Sequence, residues 1–180
     1  VPYVSVILNV DADHLEFFGS MDNLKQSFRR FALLTEHAIV ANLDDANTRE
    51  VLKSVDRNVI TFGIDTPADY HAVHIEEYRP SFFAFDIVEK GVPTAHIRLA
   101  VPGRHNIYNA LAAYACAAMF GCTSEQCKSG LEAFRGAGRR FEFLGEVNGV
   151  TIADDYAHHP AELEATLTSA AKMDYRKVWA

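Results

Sequence analysis

Val4-Ser5-Val6-Ile7-Leu8-Asn9-Val10, followed by Asp11-Ala12-Asp13-His14-Leu15-Glu16, decides the fold class. The first seven residues are mostly apolar and rich in β-branched side chains, the pattern of a buried strand. The pattern then stops on an acidic, histidine-containing loop. From Met21 to His37 the apolar residues Leu24, Phe28, Phe31, Ala32 and Leu34 fall close to helical spacing, so an amphipathic helix is predicted there. Ala38–Leu43 reads as a second strand. Asp44-Asp45 can cap a helix from about Ala46 to Ser54, and Asn58–Phe62 reads as a third strand. Strand and helix alternate, which predicts an α/β layer with a mainly parallel sheet.

The texture changes after residue 69. Tyr70–Tyr78, Ser81–Val88 and Thr94–Ala100 alternate apolar with polar residues, with Gly91 and Pro93 between the last two. This predicts a small antiparallel meander beside the parallel sheet. His105–Phe120 is an alanine-rich helix, and Ser124 is placed to cap another reaching about Phe134. Gly136-Ala137-Gly138 is the candidate hinge. Beyond it, Phe141–Val147, the Asn148-Gly149 pair and Val150–Ala153 carry a hairpin signal, because Asn-Gly tolerates the positive φ of a tight turn. Pro160 opens a helix to about Ala171, and Arg176–Ala180 reads as the start of a strand. The domain boundary is expected near Arg140, between units 1–140 and 141–180.

Lys and Arg number 17 against 24 Asp and Glu, a formal net charge of −7. Non-specific binding of DNA or RNA needs basic surface, so no nucleic-acid partner is expected; a small anion needs only a local cluster. No run approaches the roughly 20 apolar residues of a membrane span, and no secretory signal pattern opens the chain. Cys116, Cys122 and Cys127 are an odd number without a C-x-x-C pair, which points away from a disulfide framework and towards a reducing, cytoplasmic setting. His71 and His74, three apart on an alternating strand, are expected on opposite faces and so do not form a metal pair. No G-x-x-x-x-G-K-[ST] phosphate loop is present. The chain opens at Val1 without Met and ends at Trp179-Ala180 within the last strand signal, so both ends read as cuts in a longer protein.

Four clusters could carry chemistry. In the loop Asn9–Glu16, His14 lies among three carboxylates and could help hold a divalent cation; the alternative is a solvated acidic loop. In Pro102–Ala113, a glycine turn feeds a helix N-terminus suited to anions. There His105 precedes Asn106, and Asn106 and Asn109 share a face that can pair with an adenine edge; alternatively Asn106 only caps the helix. In Gly138–Glu142, Arg139 and Arg140 could clamp a phosphate, or simply pair with Glu142 or Glu146. In Asp154–Pro160, a carboxylate at a strand end could accept from a ribose and His158 could bind a carboxylate or water; alternatively both aspartates cap the helix.

Taken in this order, NVDADHLEFF, PGRHNIYNALAA and GAGRRFEFLGEVNGVTIADDYAHHPAE resemble the Mur ligase family. DDYAHHP is the most specific of the three and is similar to the branch that adds L-alanine. The resemblance covers the chain from the second half of the family's central ATP-binding domain (1–140) into its Rossmann-like C-terminal domain (141–180). It implies an ATP- and Mg²⁺-dependent ligase of peptidoglycan synthesis. A UDP-N-acetylmuramate carboxylate would attack ATP to give an acyl phosphate, which the amino group of L-alanine then displaces.

Residue by residue, the resemblance makes His14 the metal-binding histidine and Asn106 and Asn109 the asparagines near adenine, with His105 beside them. Arg140 would reach the ATP phosphates and Asp155 the ribose. Tyr156 and His158 would lie where the nucleotide and amino-acid sites meet. His14, Arg140 and His158 are thereby the expected catalytic group. The family's phosphate loop and UDP-binding domain are expected before Val1, so this stretch alone is not expected to turn over. Several Mur ligases carry a carbamylated lysine in the helix after the DHL motif; that helix here offers Lys25 and then Arg29-Arg30, and arginine cannot play the part. Ala161 stands where many relatives have Thr. A ligase that recycles murein tripeptide, or a nucleotide-binding module without catalysis, are the competing readings.

Overall fold

Six strands form one sheet in sequence order: β1 (Val4–Ile7), β2 (Ala38–Asn42), β3 (Val59–Gly63), β4 (Tyr70–Arg79), β5 (Phe82–Glu89) and β6 (Val92–Arg98). The computed structural model describes all of residues 1–180. The first four strands are parallel and the last three antiparallel. The meander is therefore a continuation of the parallel sheet, joined to it where Phe62 and Gly63 pair with Tyr70 and His71.

Helices α1 (Leu15–Phe18), α2 (Met21–Leu34), α3 (Ala46–Leu52), α4 (His105–Met119) and α5 (Ser124–Ala133) surround this sheet. β2 is buried at every residue because it is covered on both faces. Ile39 and Ala41 pack with Leu24, Ala32 and Val51 of α2 and α3. Val40 points the other way, into a core with Phe62, Phe85, Ile87 and the α4 residues Ile107, Leu111, Tyr114 and Ala115. The i, i+4, i+7, i+8 spacing of those α4 residues is the stripe a helix needs to lie flat on a sheet. A separate hairpin, β7 (Glu142–Val147) and β8 (Val150–Asp154), turns at Asn148-Gly149, both with positive φ, and leads to α6 (Pro160–Lys172). No helix is long and apolar enough to cross a membrane.

Several expectations are corrected. The first strand ends at Ile7, because the pairing with β2 runs out at Ile7↔Ala41 while the chain continues as loop to Val10. The second helix ends at Leu34, where Thr35 turns extended. The cap of α5 is Thr123, one residue earlier than Ser124; its hydroxyl accepts from Gln126 N–H and the Gln126 side chain bonds back to Thr123 N–H. Arg176–Ala180 forms no strand: it has no partner to pair with, and Lys177 instead lies over the Trp179 ring. A bulge after Val73 gives His74 a φ of 49° and brings its Nδ1 to Asp86, which breaks the alternation behind the opposite-face expectation for His71 and His74.

Asp44 fastens the loop after β3. Its carboxylate accepts from the N–H groups of Ile64 (2.6 Å), Asp65 (3.0 Å) and Thr66 (2.7 Å), and from the Tyr108 hydroxyl of α4 (3.0 Å). Burial alone would raise this carboxyl's pKa, but the four hydrogen bonds outweigh it and hold it below the usual 3.8. Burial first, and then the Asp44 charge, push the Tyr108 phenol up to about 12.

A carboxyl whose folded pKa is depressed stabilises above its unfolded value and loses that contribution as pH falls through the folded one. Asp44→Asn should cost about 1–3 kcal/mol at neutral pH, since its amide confronts donors. Urea unfolding measured against pH checks this: the gap to the parent protein should shrink as pH drops below the carboxyl range. A gap independent of pH would exclude the ionised carboxylate as its source.

Candidate functional site

The loop after β1 is built from its buried end outwards. Val10 is fully buried, and its backbone is held from the start of α3. Its N–H donates to Asp45 Oδ1 (3.1 Å) and its carbonyl accepts from Asn47 Nδ2 (2.7 Å). Asn42, at the end of β2, donates to the Leu8 carbonyl (3.0 Å). Beyond Val10 the loop satisfies itself: the Asp11 carboxylate accepts from Ala12 N–H and the Asp13 carboxylate from His14 N–H. His14 then enters α1 in the left-handed region at φ 53°. Its exposed ring has Asp13 Oδ2 and Glu16 Oε1 each at 3.5 Å.

Mg²⁺ prefers six oxygen ligands, several of them water or phosphate. The His14 cluster does not supply such a shell. No group of three potential ligands in the chain can close on one ion, and Asp11 turns onto its own backbone rather than joining the other two carboxylates. His14 stands as one imidazole donor. In α2, Lys25 pairs with Glu50 at 2.7 Å and Arg29 donates to the carbonyls of Glu50 and Val51, so both serve the α2–α3 contact.

At the start of α4, Gly103 turns at φ 100°, and His105 folds back over it. Asn106 does not cap the helix; the cap position is Arg104, which makes no side-chain cap bond and pairs with Asp65 at 3.7 Å. Asn106 donates to the Pro102 carbonyl (2.8 Å), and its Oδ1 accepts from Asn109 Nδ2 (2.9 Å). The asparagine pair is thereby pre-set: the Asn109 Oδ1 and one of its N–H groups stay unengaged. The His105 residue is exposed, yet the protein packed around its ring desolvates it and lowers its pKa, while the Asp155 charge pulls the other way.

At the start of the second unit the polar side chains largely hold each other. Arg140 Nη1 meets Glu162 Oε1 at 3.1 Å; Arg139 meets Asp154 at 3.3 Å and lies over the Tyr156 ring. The Asp155 carboxylate accepts from Phe141 N–H, Ala157 N–H and the Thr166 hydroxyl. It ties the entry to β7 to α6 and caps neither helix end. His158 Nδ1 contacts the Tyr156 carbonyl at 3.0 Å, with the two rings edge to face. The cap of α6 is His159. Burial would raise the Glu162 carboxyl, but the His158 N–H, Arg140 and the His159 N–H together hold it below its usual range.

These elements meet at one junction between the units. Ser81 Oγ donates to the Ser169 carbonyl of α6 (2.9 Å), with both residues buried. His159 Nε2 lies 3.2 Å from the Ala12 carbonyl. A cavity of about 280 Å³ separates Gly103, Arg104 and His105 from Ala161, Ala165 and Thr168 of α6. Of the expected site residues only His105 lines it. No hydrogen bond or ion pair links Asn106 or Asn109 to Arg140 or Asp155. Sequence reading missed Asn47 and His159 as positioning residues and saw Asp44 and Asp45 only as caps. No local pattern marks a side chain that bonds backbone 20 to 147 residues away.

Residues 1–117 match the family described as the Mur ligase middle domain, and residues 139–180 the one described as Mur ligase, glutamate ligase domain. The chain belongs to the Mur ligase family. The UDP-N-acetylmuramate–L-alanine ligase of Caldanaerobacter subterraneus subsp. tengcongensis is 45% identical over 179 residues, which are 98% of this chain and 39% of that protein. MurF from Acinetobacter baumannii superposes with a TM-score of 0.84 at 26% identity, over 96% of this chain and 38% of that one. The UDP-N-acetylmuramate-alanine ligase MurC from Thermotoga maritima gives 0.78 at 28% identity, over 95% and 38%. This Mur ligase chain thus spans about two fifths of the length of the relatives it matches.

In this Mur ligase chain a methyl group at residue 103 would sit 2.4 Å from His105 Cε1, at a φ that L-residues rarely adopt. Gly103→Ala should therefore push the ring off the turn and destabilise the chain by about 1–3 kcal/mol. Relieved of desolvation, His105 should titrate higher than in the parent. A ¹H NMR titration reads this directly, and an unmoved His105 pKa would show that the ring is not held against the turn.

Proposed function

We propose that this chain is part of an ATP-dependent ligase. That enzyme joins L-alanine to the carboxylate of UDP-N-acetylmuramate through an acyl phosphate, in peptidoglycan synthesis. Residues 1–140 belong to its central ATP-binding domain and 141–180 to its Rossmann-like C-terminal domain. The observation that carries the reading is the meeting, at one junction, of the loop bearing His14, the first turn of α4 and the first turn of α6. Relatedness along the whole chain to proteins named as alanine-adding ligases supports it.

In this reading Asn109 supplies the adenine contact. One donor and one acceptor of its amide stay open, whereas Asn106 is engaged by Pro102 and Asn109 and acts chiefly to orient it. His105 packs beside them. Asp155 offers the ribose its remaining acceptor capacity after three internal hydrogen bonds. Arg140 turns its fork of donors to the ATP phosphates; its ion pair with Glu162 is solvent-exposed and worth only about 0–1 kcal/mol, so its release is inexpensive. Tyr156 and His158 face the acceptor amine. Mg²⁺, where bound, neutralises phosphate charge, with His14 as one donor and phosphate oxygens and water as the others.

The experiment uses the intact protein that carries this chain. ADP release should require both UDP-N-acetylmuramate and free L-alanine; release with a preformed murein peptide in place of alanine would favour the recycling ligase. Asn109→Ala should raise the KM for ATP by about 2–10-fold, the equivalent of one hydrogen bond, with the KM for the sugar nucleotide unchanged. His14→Ala should shift the Mg²⁺ dependence of turnover more than sugar-nucleotide binding. An unaltered ATP KM removes Asn109 from the adenine pocket, and an unaltered Mg²⁺ dependence removes His14 from the metal.

A further inference from the structure

The cap of α6 is an imidazole, and it makes two bonds where the usual caps make one. Ser, Thr, Asp and Asn are the preferred residues at this position, each placing an acceptor over the first N–H groups of the helix. His159 does this with Nδ1, which accepts from Ala161 N–H at 3.3 Å. On the far edge of the ring, Nε2 lies 3.2 Å from the Ala12 carbonyl, 147 residues away in sequence. A carbonyl oxygen only accepts, so Nε2 carries the proton and Nδ1 the lone pair. Both contacts require the same tautomer. The short side chains of the usual caps end before they could span from the helix to that carbonyl.

The ring is also aimed by its chain neighbours. Pro160 occupies the first helical position and disfavours helical backbone at His159, which is extended at φ −82° and ψ 141°. The His159 N–H points to Glu162 Oε2 at 3.5 Å. On the receiving side, Ala12 lies two residues before His14, in a loop whose base at Val10 is already clamped by Asp45 and Asn47. The loop is thus held at its base by the first unit and at its crest by the second. Near the far end of α6, Ser81 Oγ bonds the Ser169 carbonyl and Lys172 reaches Glu77 at 3.9 Å.

We infer that His159 is a positioning residue: it couples the docking of the second unit to the placement of the loop that presents His14. The consequence for turnover rests on the ligase reading; the coupling itself does not. His159 touches no reacting atom and acts through the Ala12 carbonyl.

Two measurements test it. In the 180-residue chain, ¹⁵N NMR of the imidazoles should show His159 as the Nε2–H tautomer. Asn caps helices well but is too short to reach Ala12, so His159→Asn should leave the amide exchange of α6 unchanged while speeding exchange at Asp13 and His14 by about 2–10-fold, the equivalent of one hydrogen bond. His159→Ala should speed both regions. In the intact ligase, His159→Asn should lower kcat and raise the Mg²⁺ concentration needed for half activity, with the KM for UDP-N-acetylmuramate unchanged. An Nδ1–H tautomer overturns the inference, as does an Asn variant with unchanged exchange at Asp13 and His14. A parent protein with no ATP-dependent ligation overturns the ligase reading instead, and the exchange result still decides the coupling.

Discussion

Everything at the candidate site hangs from one strand, Ala38–Asn42, that is buried on both faces. Residues pointing to one side enter the core under α2 and α3, and those pointing to the other enter the core under α4. A strand in that position accepts neighbours only along its edges, and parallel neighbours put all their carboxyl ends on one side of the sheet. The loops after β1, β2 and β3 therefore emerge together. The loop that carries His14, the Asp44-Asp45 turn and the loop at Ile64–Thr66 are consequences of that packing, and so is the bonding among them.

Carboxylates do most of that bonding. Asp44 collects three backbone N–H groups and a phenol, Asp45 holds α3 and Val10, and Asp155 holds the entry to β7 against α6. Asp69 accepts from Thr61 in the turn between β3 and β4, and Asp86 receives both His74 and His96 on the meander. All but Asp86, whose partners are exposed side chains, accept from backbone N–H groups that a loop or an element end would otherwise leave to water. The acidic balance of the chain is thus in good part architectural. Far fewer carboxylates are left over for ligands than the composition suggests.

The arginines at the start of the second unit show the complementary economy. Arg139 and Arg140 rest on Asp154 and Glu162 across exposed ion pairs. Such pairs are weak enough to exchange for a phosphate without rebuilding the fold. Asp155, by contrast, is fixed by three hydrogen bonds and can serve a ligand only in place. The two groups differ in mobility for a simple reason: one bonds to side chains in water, the other to backbone amides and a hydroxyl within the fold.

The periodic elements were legible without coordinates. The apolar run of β1, the stripe of α4, the alternation of β4–β6 and the Asn148-Gly149 turn each carry their own signal, and each formed within a few residues of its expected bounds. Strand boundaries moved where pairing ran out, at Ile7 and at Arg176–Ala180, and helix boundaries where the backbone or a cap decided, at Leu34 and Thr123. The motifs that marked His14, Asn106, Asn109, Arg140 and Asp155 were equally visible as residues. Their partners were not. That Asn106 orients Asn109, that Glu162 holds Arg140, and that His159 bonds both its own helix and Ala12 depend on contacts across 2 to 147 residues. The sequence by itself determined most of the segments that are helix or strand, though not α1 or the chain after Tyr175, and which polar side chains are grouped, because local periodicity and turn chemistry act within a few residues. Only the tertiary structure decided which of those polar groups remain open to a ligand, because a hydrogen-bond donor or acceptor is claimed by whatever the packing brings beside it.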